Sequence, residues 1–367
     1  MKFNEAQKTA LSHKTGPMMV LAGPGSGKTT VITHRIAGLL GAGVRPSEIL
    51  VITFTKASAR EMEERFYSLR PAVRENDTES GRVTFGTFHS VFYRILKLAY
   101  RFPAGCVLGE EEKRQYFREF LENSELEVED EGEFISAVIN EISYVKGSQM
   151  DLSCYYSQNC PEEWFKRLYT GYEDMLRARG KLDFDDMLVM CYELFSQRKD
   201  ILSAWQRKFR YILVDEFQDI NRIQYEIVKM LALPENNLFI VGDDDQSIYR
   251  FRGAKPEIML GFERDYPKAA RVLLDVNYRS TREIVEASLR LIEHNEKRFK
   301  KSLKTAGSRG RGVITRIWED EEEENSRIAE EIRMYAEAGC SYSDIAVLYR
   351  TNSGPKRLIE KLMEYNL

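Results

Sequence analysis

The sequence has little of what builds disulfide frameworks or metal centres: its 367 residues include five cysteines and four histidines. Cys106, Cys154, Cys160, Cys191 and Cys340 form no CxxC pair, and none has a histidine nearby at ligand spacing. That argues against the usual zinc and disulfide patterns and reads as reduced, buried thiols in a reducing compartment. Long apolar runs are also missing, with nothing near the roughly 20 residues needed to span a bilayer. The N-terminus "MKFNEAQKTALSHKTGPMMVLAG" lacks the apolar core and cleavage site of a signal peptide. The expectation is a soluble cytoplasmic protein with no membrane partner. Nor is there an excess of one charge: 54 basic and 58 acidic residues leave a net −4. Whole-molecule attraction to a polyanion therefore cannot be argued, and any nucleic acid would have to be held by a local patch. Internal repeats and low-complexity tracts are absent.

What is present is 43% hydrophobic and 31% charged residues, enough for a sizeable core and for two or three domains. Short β-rich runs recur at 18–23, 49–54, 82–88, 211–217, 237–243 and 270–276. Their near-continuous apolar character suits strands covered on both faces, as in a parallel sheet flanked by helices. "KTTVITHRIAGLLGAG" reads as one of the intervening helices. From 89 to 205 the strand pattern stops, and helical pieces such as "EEKRQYFREFLENSEL" and "PEEWFKRLYTGYEDMLRARG" take over, as in a helical domain inserted into an α/β one. The acidic run "EDEEEEN" (319–325) reads as a solvated loop leading into the helix "SRIAEEIRMYAEAG". After Asn277 only "GVITRIW" (312–318) and "DIAVLYR" (344–350) read as strands, before a final helix in "RLIEKLMEYNL". Two strands make a poor independent sheet, so this end looks like half a domain. His13, His34 and His294 read as surface or packing residues; Trp164, Trp205 and Trp318 read as core anchors.

The stretch "AGPGSGKTT" (Ala22–Thr30) lies between an expected strand and an expected helix, the context of a phosphate-binding loop. Its glycines let backbone N–H groups turn around phosphate oxygens at the positive end of the helix. Lys28 would reach the β- and γ-phosphates, and Thr29 would ligate Mg²⁺. Ala22 stands where the strict pattern has glycine. "YILVDEFQD" then ends a strand in adjacent carboxylates: Asp215 suits the metal from a neighbouring strand tip, and Glu216 suits the base that polarises an attacking water. A third strand ends in "LFIVGDDDQSIYRFRGA", where Gln246 is a candidate γ-phosphate sensor and Tyr249, Phe251 and Arg252 suggest a base-stacking surface.

Taken in order, these motifs resemble those of the superfamily 1 DNA helicases of the UvrD/Rep/PcrA type. The resemblance implies a P-loop, RecA-like motor domain at 1–88 plus 206–276, a helical insertion at 89–205 and an incomplete second RecA-like domain at 277–367. "FNEAQ" is similar to the element that reads adenine, which implicates Gln7. The phosphate loop then supplies Gly23, Gly25, Ser26, Gly27, Lys28, Thr29 and Thr30. "VITFTKASAREM" and "TFGTFHS" resemble single-strand contact motifs, implicating Phe54, Thr55, Thr87, Phe88 and His89, while "LDFDDML" (182–188) resembles the element closing the insertion. "LDVNYRST" resembles the motif that would place Tyr278 on the adenine and Arg279 at the γ-phosphate. Thr30 stands where several members have arginine, and Phe251 where tryptophan is usual. The last motor motifs, with a second arginine finger, are not found.

The resemblance implies the N-terminal portion of an ATP- and Mg²⁺-dependent DNA helicase that moves along single-stranded DNA and meets single-strand/duplex junctions, with repair or replication proteins as companions. The expected activity belongs to the intact protein, and weak or no turnover is expected of this chain as it stands. Two alternatives stay open: a nucleotide- and DNA-binding module without turnover as it stands, and the motor part of a helicase–nuclease subunit. An NTP kinase or GTPase is disfavoured because no guanine-reading NKxD occurs.

Overall fold

The computed structural model describes residues 2–70, 81–250, 253–350 and 354–367, so Phe251 and Arg252 lie outside the described residues. Two compact units are present, Met1–Gly310 and Arg311–Leu367.

The first unit is built on six strands: β1 (Met18–Ala22), β2 (Ile49–Thr53), β3 (Thr84–Thr87), β4 (Tyr211–Val214), β5 (Leu238–Gly242) and β6 (Ala270–Leu274). They pair in the order β3-β2-β4-β5-β1-β6, all parallel, with Val20 in register with Val241 and Val272. The apolar runs are explained by the strand period of two. Met19, Leu21, Leu50, Ile52, Ile212, Val214 and Ile240 face one core, shared with the helices Phe88–Ala99, Phe184–Gln197 and Arg222–Ala232. Their sequence neighbours Met18, Val20, Ala22, Val51, Leu213 and Val241 face the other, against the helices Glu5–Ser12, Lys28–Gly41 and Lys56–Leu69. With both faces covered, alternation of polar and apolar residues disappears.

Between β3 and β4 the named elements are all helical. A separate hydrophobic cluster there includes Phe117, Ile142, Phe165, Leu168 and Tyr172. Beside it lies a buried charge network. Lys146 Nζ contacts Glu173, Asp186 and Asp183 at 2.6, 2.7 and 3.1 Å, and Tyr172 donates to Asp183 Oδ2 at 3.0 Å. No helix among the described residues is long and apolar enough to cross a membrane.

Several elements differ from the sequence expectation. The run 270–276 breaks at Asp275, after which β7 (Val276–Asn277) leaves the main sheet and pairs with β8 (Lys304–Thr305). Phe88 is not in a strand; Thr87 caps the helix Phe88–Ala99, its Oγ1 accepting from Ser90 N. Most of the acidic run is not a loop: Glu319 and Asp320 precede the helix Glu321–Glu337, and the glutamates from Glu321 form its first turn. Asp320 caps it by accepting from Glu323 N at 2.8 Å, and four glutamates in that turn suit the positive end of the helix dipole.

In the second unit, neither "GVITRIW" nor "DIAVLYR" forms a strand. Their alternation satisfies local preference, but a strand exists only where a ladder partner takes its N–H and C=O groups. Val313, Ile314, Ile317 and Leu348 are accordingly exposed. The unit's contacts run instead between its two helices, Glu321–Glu337 and Pro355–Glu364, with Ala329 and Leu358 buried.

Candidate functional site

β1 hands Ala22 to a turn that feeds the helix Lys28–Gly41. Gly27 takes the N-cap position at φ +87, and no side chain caps this end. The first-turn N–H groups therefore keep their capacity for an anion. Ser26 Oγ is buried without a hydrogen-bond partner, a second group suited to a phosphate oxygen. Gly25, at φ +65, is a position where a Cβ would stand 2.7 Å from Arg279 Cβ and 2.9 Å from Asn277 Oδ1. Its bare backbone lets 277–279 close on the loop: Asn277 Nδ2 donates to Pro24 O at 2.7 Å and Tyr278 N to Gly25 O at 2.9 Å.

Gln7 and Tyr278, far apart in sequence, meet at this loop. Gln7 is the third residue of the helix Glu5–Ser12, locked by a reciprocal capping box with Asn4. Its Nε2 donates to Ser26 O at 3.2 Å, and Asn4 Nδ2 donates to the Tyr278 hydroxyl at 2.9 Å.

The carboxylates after β4 find their partner here. Lys28 Nζ donates to Glu216 Oε2 at 2.7 Å. Glu216 has φ +50, a left-handed conformation costing a non-glycine residue about 1–2 kcal/mol, which the surrounding contacts offset. Asp215 is buried, and that burial, with the Glu216 carboxylate beside it, pushes it up to about 7. The sequence expectation that β4 neighbours β1 is corrected: β5 lies between them. β5 ends in Gly242, where a Cβ would stand 2.6 Å from Gln218 Oε1, so the bare backbone there leaves room for the turn that follows Glu216. Gly25–Thr30, Asp215, Glu216, Tyr278 and Arg279 line one cleft of about 380 Å³, joined by Arg65 of the helix Lys56–Leu69. Two hard oxygen donors, the Thr29 hydroxyl and a desolvated Asp215, form a donor set that fits Mg²⁺.

Gln246 does not line this cleft. Its Nε2 donates to Asp243 Oδ2 at 2.7 Å, inside a charge cluster that the sequence reading did not assemble. Asp243, Asp244 and Asp245 bring carboxylate oxygens within 4.8 Å of one another. The cation at their centre is Lys301, at 2.5, 2.5 and 2.9 Å, with Arg298 forming a fork on Asp245.

A second cleft, of about 560 Å³, opens between the residues that follow β2, β3 and β4 and the helical segment, lined among others by Phe54, His89, Phe184, Asp219 and Asn221. The Phe54 and Tyr249 rings lie 4.6 Å apart, and His89 meets Phe184 edge-on at 5.5 Å. Burial holds His89 below its usual range, against the pull of Asp185 and Asp183. Phe88 is buried in the core. Thr55 and Thr87 serve as N-caps. Asn4, Gln218, Asn277 and Lys301 were absent from the sequence-based set; of these only Asn4, three residues before Gln7, carried a local capping signal.

Residues 3–267 match the UvrD/REP helicase N-terminal domain and residues 272–367 the UvrD-like helicase C-terminal domain. The whole chain is 39% identical to YjcD of Bacillus subtilis (strain 168), over 48% of that protein. It is 36% identical to the ATP-dependent DNA helicase PcrA of Staphylococcus aureus (strain NCTC 8325 / PS 47), over 50% of its length. For PcrA of Staphylococcus epidermidis the identity is 37%, again over 50% of that protein. The chain thus spans about half the length of the curated relatives it matches.

Proposed function

Because this chain belongs to the UvrD/Rep helicase family, we propose that it binds ATP in the cleft at Gly25–Thr30 and couples hydrolysis to movement along single-stranded DNA. The observation that carries the proposal is the convergence of the phosphate loop, the Asp215–Glu216 pair and Tyr278–Arg279 on one cleft. The division into a motor domain (1–88 with 206–276), a helical insertion (89–205) and a further motor segment from 277 belongs to the same reading.

In this reading the loop amides and Lys28 bind the β- and γ-phosphates, and the Tyr278 ring, held by Asn4, offers its face to the adenine beside Gln7. Thr29 and Asp215 hold Mg²⁺, which when bound neutralises phosphate charge and favours ionised Asp215. Glu216 accepts a proton from the attacking water as its oxygen bonds to the γ-phosphorus and the bond to the ADP oxygen breaks. Arg279 places a guanidinium against the charge gathering on the phosphoryl oxygens. DNA lies along the second cleft, with Phe54, Tyr249, Phe184 and His89 as sequence-tolerant stacking faces. Its affinity falls with salt as phosphate contacts release counterions.

The test is phosphate release from ATP with and without oligothymidylate, beside a Glu216→Gln control. Turnover stimulated by the oligonucleotide and abolished by the substitution is the expected result. A chain that binds no Mg²⁺–ATP would overturn the proposal.

A further inference from the structure

Resting on that reading, we infer that Gln218 is the positioning residue through which the nucleotide cleft and the second cleft sense each other. It lies two residues beyond Glu216, in the short turn Phe217–Asp219, and is buried. Its Oε1 accepts from the backbone N–H of Asp243 at 3.0 Å, which fixes the orientation of the amide. The Nε2 hydrogens must then face the other way, and both are used: one donates to Glu216 Oε2 at 2.9 Å, the other to Asp219 Oδ2 at 3.1 Å.

Each of those three partners belongs to a different part of the machinery. Glu216 is the partner of Lys28 in the nucleotide cleft. Asp219 lines the second cleft. Asp243 follows β5 and heads the segment that carries Tyr249 to Phe54. The main chain of Gln218 adds a fourth link, its carbonyl accepting from Ser247 Oγ at 3.2 Å. The amide has no spare room, since any side chain at Gly242 would press on Oε1.

A glutamine serving only as packing would not divide its two N–H donors between carboxylates lining separate clefts. Here a change at Glu216 has an immediate structural consequence. When phosphate oxygens compete for Lys28, Glu216 Oε2 loses its cationic partner and leans more on Gln218 Nε2. One rigid plane carries Asp219 and the Asp243 N–H contact, so strengthening one bond reorients the others. The effect runs both ways, because coupling between two binding sites is reciprocal.

The experiment measures the affinity of the chain for fluorescein-labelled oligothymidylate by anisotropy, with and without a saturating imido analogue of ATP and Mg²⁺. The parent should show an affinity ratio in the range of about 5–150 typical of coupled sites. Gln218→Met keeps the length and apolar stem but removes the hydrogen bonds. It should bring that ratio to about one while each ligand alone still binds within about threefold of the parent. Gly242→Ala, which crowds the amide from outside both clefts, should lower the ratio in the same direction and guards against a Met variant that fails to fold. A parental ratio of one, or a Met variant with the parental ratio, overturns the inference. So does parallel loss of both separate affinities together with thermal stability in both variants, because that marks a structural role. A parent that binds neither probe would instead sink the ATP-motor reading itself.

Discussion

Lys28 and Glu216 stand 188 residues apart in sequence and 2.7 Å apart in space, with the lysine 13% and the glutamate 34% exposed. The pair joins the start of one helix to the tip of a strand two places away in the sheet, so each substitution should have its own signature. Glu216→Gln keeps an acceptor for Lys28 but removes the proposed base. Nucleotide binding should persist while turnover falls by about 10²–10⁴. Lys28→Ala should lose binding as well. Equilibrium binding of a fluorescent ATP analogue, measured beside phosphate release, separates the two.

Lys301 holds three carboxylates with its own side chain 1% exposed. Those carboxylates hold its ammonium above the usual range, although burial works against the charge. Lys301→Met should therefore destabilise the chain by about 3–5 kcal/mol, the usual cost of removing one side of a buried ion cluster. The variant would leave Asp243, Asp244 and Asp245 with Arg298 on only one of them. Its melting temperature should then rise with added Mg²⁺ more steeply than the parent's, which differential scanning at several Mg²⁺ concentrations would reveal.

Phe54 and Tyr249 share a ring contact, so under the proposed DNA-binding role the two should not act independently. Either single alanine substitution should weaken oligothymidylate binding by about 1–3 kcal/mol, the contribution of one stacked base. The double substitution should cost less than the sum, because neighbouring side chains couple. Additive losses in an anisotropy titration would mean that the rings act separately.

A pH dependence should come from the helical segment. Burial, together with the neighbouring Asp183, pushes Asp186 up to about 6. A carboxylate whose folded value is raised favours the folded state while protonated. Its contribution is complete below the unfolded value near 4 and is lost as pH rises through about 6. Asp183 works in the opposite sense: against burial, Lys146 and Lys113 hold it below the usual range, so its stabilisation disappears only toward strong acid. Asp186→Asn should therefore reduce the change in melting temperature between about pH 4 and 6, leaving the part that Asp215 contributes, and keep the acid limb in place.

Some of this organisation was legible before any coordinates. The phosphate loop is read easily because its chemistry is local: Gly25, Gly27, Lys28 and Thr29 act within one turn. The strands 18–22, 211–214 and 238–242 announce themselves because both faces of a parallel sheet demand apolar residues. Strand order was less accessible, and β5 standing between β1 and β4 depends on packing that no single run encodes. Gln218, Asn277 and Lys301 have no periodic signature, since their meaning lies in partners at Asp243, Pro24 and Asp244. "GVITRIW" misleads for the reverse reason: its alternation is a complete local signal for a strand, but a ladder needs a second chain segment alongside.

The position of β1 inside the sheet also sets a timetable. It leaves the ribosome before the other strands of its sheet, yet its hydrogen-bonding neighbours are the last two of that sheet, β5 and β6. Ala22 ends β1 and Leu238 begins β5, so at about 5–20 residues per second the strand waits about 10–40 s for its first partner. Throughout that interval "MMVLA" is an apolar segment with both edges open, the kind of segment that chaperones cover and that pairs wrongly at high concentration. The helical stretch, with its own hydrophobic cluster, emerges earlier and can organise around short-range contacts. Synthesis slowed between residues 180 and 240 should therefore raise aggregation of the nascent chain more than an equal delay placed after residue 280.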